Sequence, residues 1–197
     1  EHTALNAAII GDNFEAIDWL LERNVDVNLK DEKQATALSW AVSRGLEEIV
    51  KKLVQAGANV NVQDGSGSTP LIWAASKGHY NIAKYLIANQ ADIEEVNSKG
   101  KSPLIWACTN GYTDIVQLLC TTGAEVNVMD NEGSTPLIWA ASKGHAEVLE
   151  ILLDFGANIH HIDARKRNAF LWAVCNGYVE CSEILLEEGS DLNLADE

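Results

Sequence analysis

The twelve residues Ser-Thr-Pro-Leu-Ile-Trp-Ala-Ala-Ser-Lys-Gly-His stand at Ser68–His79 and again, unchanged, at Ser134–His145. Midway between the copies lies Ser102-Pro103-Leu104-Ile105-Trp106-Ala107, and further steps of 33 residues land on Thr3, Thr36 and Asn168. All six frames run without an insertion. Two places after each start stands Leu5, Leu38, Leu71, Leu104, Leu137 or Phe170, and five places after it Ala8, Ala41, Ala74, Ala107, Ala140 or Ala173. A period this regular makes the chain an array in which each unit touches only its neighbours.

The frame beginning at Thr69 shows how one unit folds. Thr69 can cap a helix, and Pro70 fits the first helical position, where no N–H is missed. Leu71, Ala74 and Ala75 share one face at the i, i+3, i+4 spacing, and the small alanines allow a second helix to approach closely. Gly78 ends this helix in a left-handed conformation. A second helix, from Tyr80 to Ala88, presents Ile82, Ala83, Leu86 and Ile87 to the same core. The chain then reaches Gly57, Gly123, Gly156 or Gly189 in four frames, but Asn24 or Gln90 in the other two. A left-handed Gln90 costs about 1–2 kcal/mol and marks a soft point. Stretches such as Val128–Ser134 read as an extended arm with an Asp-x-x-Gly turn at the tip.

These landmarks, Thr-Pro-Leu and the paired alanines followed by Gly-His and Gly-Ala-Asn-Val-Asn strings (Gly57–Asn61, Gly123–Asn127, Gly156–Ile159), resemble the ankyrin repeat over essentially the whole chain. The resemblance implies an all-α solenoid of stacked helix-turn-helix units with β-hairpin-like arms. It would be one array over residues 1–197, with starts at 3, 36, 69, 102, 135 and 168, cut from a longer polypeptide. The last residues, Leu194–Glu197, stop in mid-arm, so apolar ends are expected to be uncovered and to favour self-association.

The net charge of −15 opposes binding to nucleic-acid phosphates and to anionic membranes. No apolar run approaches the roughly 18 residues of a membrane span, and no signal peptide opens the chain. Cys108, Cys120, Cys175 and Cys181 form no Cys-x-x-Cys pair, so zinc is not expected. Reduced, mostly buried thiols suit a cytoplasmic or nuclear protein. There is no Gly-rich phosphate loop, no G-x-S-x-G elbow and no metal spacing, which argues against an enzyme and leaves no cofactor to expect. Asp64, Asn97, Asp130 and Asp163 at the turns, with His79 and His145 after the helix-ending Gly, read as structural groups satisfying the backbone. His160-His161 lacks a spaced partner for a metal.

Five of the six tryptophans, Trp40, Trp73, Trp106, Trp139 and Trp172, fall four places after the frame start, while Trp19 sits in a second helix. At about 100° per residue, with Leu71 at zero, Ala74 lies near 300° and Ala75 near 40°, whereas Trp73 lies near 200°. The indoles therefore point away from the core of their own unit, onto the concave side of a curved stack. They either pack on neighbouring units or form an apolar floor for a partner. The ankyrin family usually has a smaller aliphatic residue here, so five Trp exceed what stacking requires. Aromatic anchors are enriched at interfaces.

The strip alongside reads Trp40-Ser43-Arg44, Trp73-Ser76-Lys77, Trp106-Thr109-Asn110, Trp139-Ser142-Lys143 and Trp172-Cys175-Asn176, with no acidic residue. The acids Glu47, Glu48, Glu147, Glu150, Glu180, Glu183, Glu187 and Glu188 gather on second helices. An extended peptide rises about 3.3 Å per residue, so one unit matches about three ligand residues. The expected partner is a protein or peptide with apolar anchors and some acidic residues to meet Arg44, Lys77 and Lys143. Trp-bearing first helices are similar to those of regulatory-factor-X-associated ankyrin proteins, whose groove holds extended peptides. They also resemble the ankyrin array of the membrane-spanning neurotrophin-receptor scaffold.

A secondary contact is expected at Arg165, Lys166 and Arg167, where Lys166 replaces the tip Gly. The resemblance carries one further implication, asparaginyl hydroxylation. Its pattern of Leu, five residues, an acid, an aliphatic and Asn fits Asn127 after Leu119, Asn28 after Leu20 and Asn193 after Leu185. The structural alternative is that these Asn side chains bridge backbone groups. A passive spacer with an inert ladder is the remaining alternative to an interaction scaffold.

Overall fold

The computed structural model describes residues 2–191, as two compact units that meet in sequence between Ser98 and Lys99. Asn193 and the final Leu194–Glu197 lie outside the described residues. The first unit holds three helix pairs: α1 (Ala4–Ile10) with α2 (Phe14–Leu21), α3 (Ala37–Ser43) with α4 (Glu47–Gln55), and α5 (Pro70–Lys77) with α6 (Tyr80–Ala88). The second holds α7 (Pro103–Asn110) with α8 (Thr113–Thr121), α9 (Pro136–Lys143) with α10 (Ala146–Asp154), and α11 (Ala169–Asn176) with α12 (Val179–Glu187). No strand occurs among the described residues.

Every first helix is closed by the side chain that the period places at its start. Thr3, Thr36, Thr69, Ser102, Thr135 and Asn168 each accept the N–H three residues on. Such a cap is worth about 1 kcal/mol. Leu71, Ala74 and Ala75 of α5 are wholly buried, as are Ala83 and Leu86 of α6. The same slots carry Leu104, Ala107 and Cys108 in α7 and Leu137, Ala140 and Ala141 in α9. Each fully buried Leu or Ile contributes about 1.5–3 kcal/mol, and a helix pair standing alone would bury only part of this surface.

Between pairs the arms are hairpin turns, not paired strands. The Asp64 N–H donates to the Ser68 carbonyl and the Gly67 N–H to the Asp64 carbonyl. Neighbouring tips are joined by Gly65 N–H to Lys33 O in the first unit, and by Asn131 N–H to Lys99 O and Ala164 N–H to Glu132 O in the second. Asn side chains stitch the bases of the arms. Asn28 Nδ2 donates to Gly57 O while its Oδ1 accepts from Asn59 N–H. Asn61 repeats the pattern with Gln90 O and Asp92 N–H, and Asn127 with Gly156 O and Asn158 N–H.

The imidazoles after the helix-ending glycines pack backward by one unit. His145 Nε2 lies 3.2 Å from Thr109 O. Its ring crowds Gly111 so closely that a Cβ there would stand 2.6 Å away. Gly111 is thus required twice over, for that approach and for its φ of +73°. Cys108, Cys120 and Cys181 are buried, and burial pushes the Cys120 and Cys181 thiols up to about 11. Cys175, on the strip beside Trp172, is exposed. On the last pair Val174, Val179 and Leu186 are uncovered, at 49%, 65% and 46% exposure.

Gln90 adopts the left-handed conformation, φ +67°, with an exposed side chain. Its backbone carbonyl accepts from Asn61 Nδ2 and its N–H donates to Ile87 O, both of which a glycine would keep. Gln90→Gly should therefore stabilise the protein by about 1 kcal/mol, seen as a rise of a few degrees in the midpoint of thermal unfolding. An unchanged or lowered midpoint would contradict the assigned strain.

Candidate functional site

The five ladder indoles are half-buried, and four of them are held by a hydrogen bond at the edge. Trp40 Nε1 donates to Asp31 Oδ2 at 2.9 Å, Trp73 to Asp64 at 2.8 Å, Trp139 to Asp130 at 2.9 Å and Trp172 to Asp163 at 2.8 Å. The other carboxylate oxygen organises the arm tip. Asp130 Oδ1, for instance, accepts from Glu132 N–H and Ser134 N–H, both at 3.0 Å. One side chain thus shapes the turn and orients the ring.

This arrangement corrects the acid-free strip expected from the helix positions. The helices supply no acid, but the arms bring a carboxylate to four of the five rings. The signal was in the sequence as an Asp nine places before Trp in four frames. The fifth frame has Asn97 at that position, and the Trp106 Nε1 is buried without a hydrogen-bond partner.

With their edges fixed, the rings offer their faces to cations. Lys33 Nζ lies 5.4 Å from the centroid of Trp40, and Lys77 Nζ 5.9 Å from that of Trp73. Lys101, only 8% exposed, places its ammonium 3.4 Å from the Trp139 centroid and 4.9 Å from Trp106. Burial lowers the Lys101 pKa, while Asp130 and Glu132 pull it back up. Arg167 and Arg165 lie over Trp172 at 4.5 and 5.8 Å, so two of the three cations expected as a separate contact join the ladder at its last ring. Lys166 takes the tip position with φ +59°, and His161 Nε2 lies 2.8 Å from Gly133 O. Helical spacing does not reveal Lys101, because it precedes the capping residue Ser102 and lies outside the helix.

The flanking polar residues turn largely inward. Ser43, Ser76 and Ser142 donate to the carbonyls of Trp40, Trp73 and Trp139. Thr109 donates to Ile105 O, Asn110 to Trp106 O and Asn176 to Trp172 O. Arg44 reaches back to Ile9 O and Ile10 O and pairs with Asp12 at 2.7 Å. Lys77 and Lys143 are exposed. Trp19 is also exposed on α2, with the Arg23 guanidinium 3.8 Å over its ring.

In the first unit the ladder encloses space. A cavity of about 590 Å³ opens between Trp40 and Trp73, bounded by Lys33, Ala35, Asp64 and Lys77. This lies within the range of roughly 300–1,000 Å³ typical of ligand sites. Asn28 and Asn127 are exposed on the arms, away from these rings in sequence, with both ends of each amide engaged by the following unit. Among the described residues no group of three His, Cys, Asp or Glu side chains is placed to hold a metal, and no helix is long and apolar enough to cross a membrane.

The Asp–Trp bond has a consequence in acid. Burial raises the Asp31 carboxyl, but the Trp40 indole, the Ala35 and Lys33 amides and His2 outweigh it and bring the pKa down to about 2. A carboxylate depressed in the folded state adds stability above its ordinary value near 4, and that stability is lost as pH falls toward 2. The Asp31 carboxyl carbon, followed by NMR, should titrate near pH 2, and Trp40→Phe should raise that midpoint. A midpoint near 4 in the unaltered protein would rule out the bond.

The arms, caps and paired helices form a repeating unit of known kind. The family model described as ankyrin repeats (3 copies) matches residues 1–64, 38–130 and 122–196. A search of curated proteins gave no match. Ankyrin repeats are generally protein–protein interaction modules, and the family is typically non-enzymatic. Covered almost end to end by these three matches, the chain belongs to the ankyrin-repeat family.

Proposed function

We propose that the chain is a non-catalytic interaction scaffold whose Trp-lined surface, in each unit, docks an extended segment of a partner protein. The supporting observation is the state of the rings. They are half-exposed, four of the five are fixed at the edge by a buried or half-buried carboxylate, and in the first unit they border open space. A ring held this way loses little conformational freedom when a partner covers it, which favours binding.

Neighbouring helices spaced about 8–10 Å apart set the rings about three extended residues from one another, so apolar anchors two to four apart would meet successive indoles. Acidic partner residues would meet Lys77 and Lys143, whose ammonium groups are exposed. Arg44 already has Asp12 and two carbonyls as counterparts, and its part is to tie the first helix pair to the second.

Polypeptides selected by display on the intact chain should lose at least ten-fold in affinity with Trp73→Leu in the first unit or Trp139→Leu in the second, measured by calorimetry. Truncating a central aromatic anchor commonly costs about 2 kcal/mol or more. Unchanged affinity in both variants would make the array a spacer with an inert ladder.

A further inference from the structure

We propose that the cavity between Trp40 and Trp73 receives the side-chain ammonium of a lysine supplied by the docked polypeptide. This rests on the docking reading above and gives one of its subsites a chemistry. The second unit carries the template. Displaced by two repeat lengths, Lys33, Trp40, Asp64, Trp73 and Lys77 become Lys99, Trp106, Asp130, Trp139 and Lys143, residue type for residue type. Between those two tryptophans the second unit places its own Lys101, buried, with its ammonium against both rings. The equivalent residue in the first unit is Ala35. Where Lys101 fills its slot, Ala35 leaves about 590 Å³ open.

The electrostatics of the two slots are comparable. In each, a carboxylate accepts the indole N–H of the outer Trp, Asp64 from Trp73 and Asp130 from Trp139. That acceptor adds electron density to the ring whose face the cation meets, and a cation–π contact strengthens when it is desolvated. Lys33 and Lys77 at the rim do not exclude a third cation, because Lys99 and Lys143 stand near Lys101 and it is buried there all the same. Apart from Ala35 and Lys101, the acidic groups of the slots differ at two positions: Glu132 near Lys101 is matched by Ser66, and Asn97 before Trp106 is matched by Asp31, whose carboxylate accepts the Trp40 indole N–H. The open slot therefore has as many carboxylates at these positions as the filled one. Net charge acts the same way, since a chain at −15 attracts basic segments.

The test uses the full chain labelled with ¹⁵N, whose six indole Nε1–H signals report each ring separately. The probe is acetyl-Gly-Lys-Gly-amide, with its norleucine counterpart as the uncharged control. Trp40 and Trp73 should shift saturably with the lysine peptide, and the norleucine peptide should bind at least ten-fold more weakly. Trp106 and Trp139 should not respond. Ala35→Lys should fill the slot from within and abolish the response of Trp40 and Trp73. Lys101→Ala should open the second slot and create a response at Trp106 and Trp139. That variant carries the test independently if Ala35→Lys does not fold. Equal binding of the norleucine peptide would overturn the proposal, as would a response that survives Ala35→Lys in the folded protein or fails to arise in Lys101→Ala. A display-selected polypeptide that needs Trp73 but is indifferent to Ala35→Lys would remove the lysine slot and leave the docking surface standing. Indifference to both changes would remove both.

Discussion

The two oxygens of one aspartate side chain connect everything that matters in this array. At Asp31, Asp64, Asp130 and Asp163, Oδ1 gathers the amides of the arm tip while Oδ2 takes the indole N–H of the following helix. A neutral hydrogen bond contributes about 1 kcal/mol net, and a charge-assisted one roughly twice that. Each such residue therefore carries several kcal/mol of local order. Without it the turn would lose its shape and the ring its direction together. The shape of the turn and the direction of the ring are set by the same carboxylate.

Around this hinge the design is economical. Helix pairs supply burial, small residues such as Ala74 and Ala75 set how closely they approach, and the arms set what the rings face. Cations then occupy the ring faces, from Lys33 and Lys77 in the first unit to Lys101, Arg165 and Arg167 in the second. Because the anion sits at the edge and the cation over the face, the two charges polarise the indole in the same sense. A Phe at these positions would keep the apolar area and lose the edge donor.

The helices were legible from the chain because their signals are local. Thr69-Pro70 starts α5, Gly78 ends it, and Tyr80–Ala88 is the second helix in full, each set by capping, dihedral preference and spacing within a few residues. The left-handed Gln90 was legible for the same reason. The surroundings of the rings were harder to read. Helical geometry placed Trp73 opposite Leu71 but said nothing of what the preceding arm would lay against it, and so missed Asp64. Lys101 escaped for a related reason, since its position relative to Trp139 depends on contact across a repeat length. The reach of Arg44 to Ile9, Ile10 and Asp12 spans 32–35 residues of chain and cannot be read from helical spacing.

The asparagine stitches at the bases of the arms bear on how force and damage travel. Asn28, Asn61 and Asn127 each clasp the next repeat by donating to one of its carbonyls and accepting from one of its amides. A clasp of this form opens only when both bonds break, and it couples the two layers it joins more tightly than apolar contact alone. Under force, the layers joined by Asn28, Asn61 or Asn127 should part in discrete steps, one clasp at a time, and re-zip from the layer that remains closed.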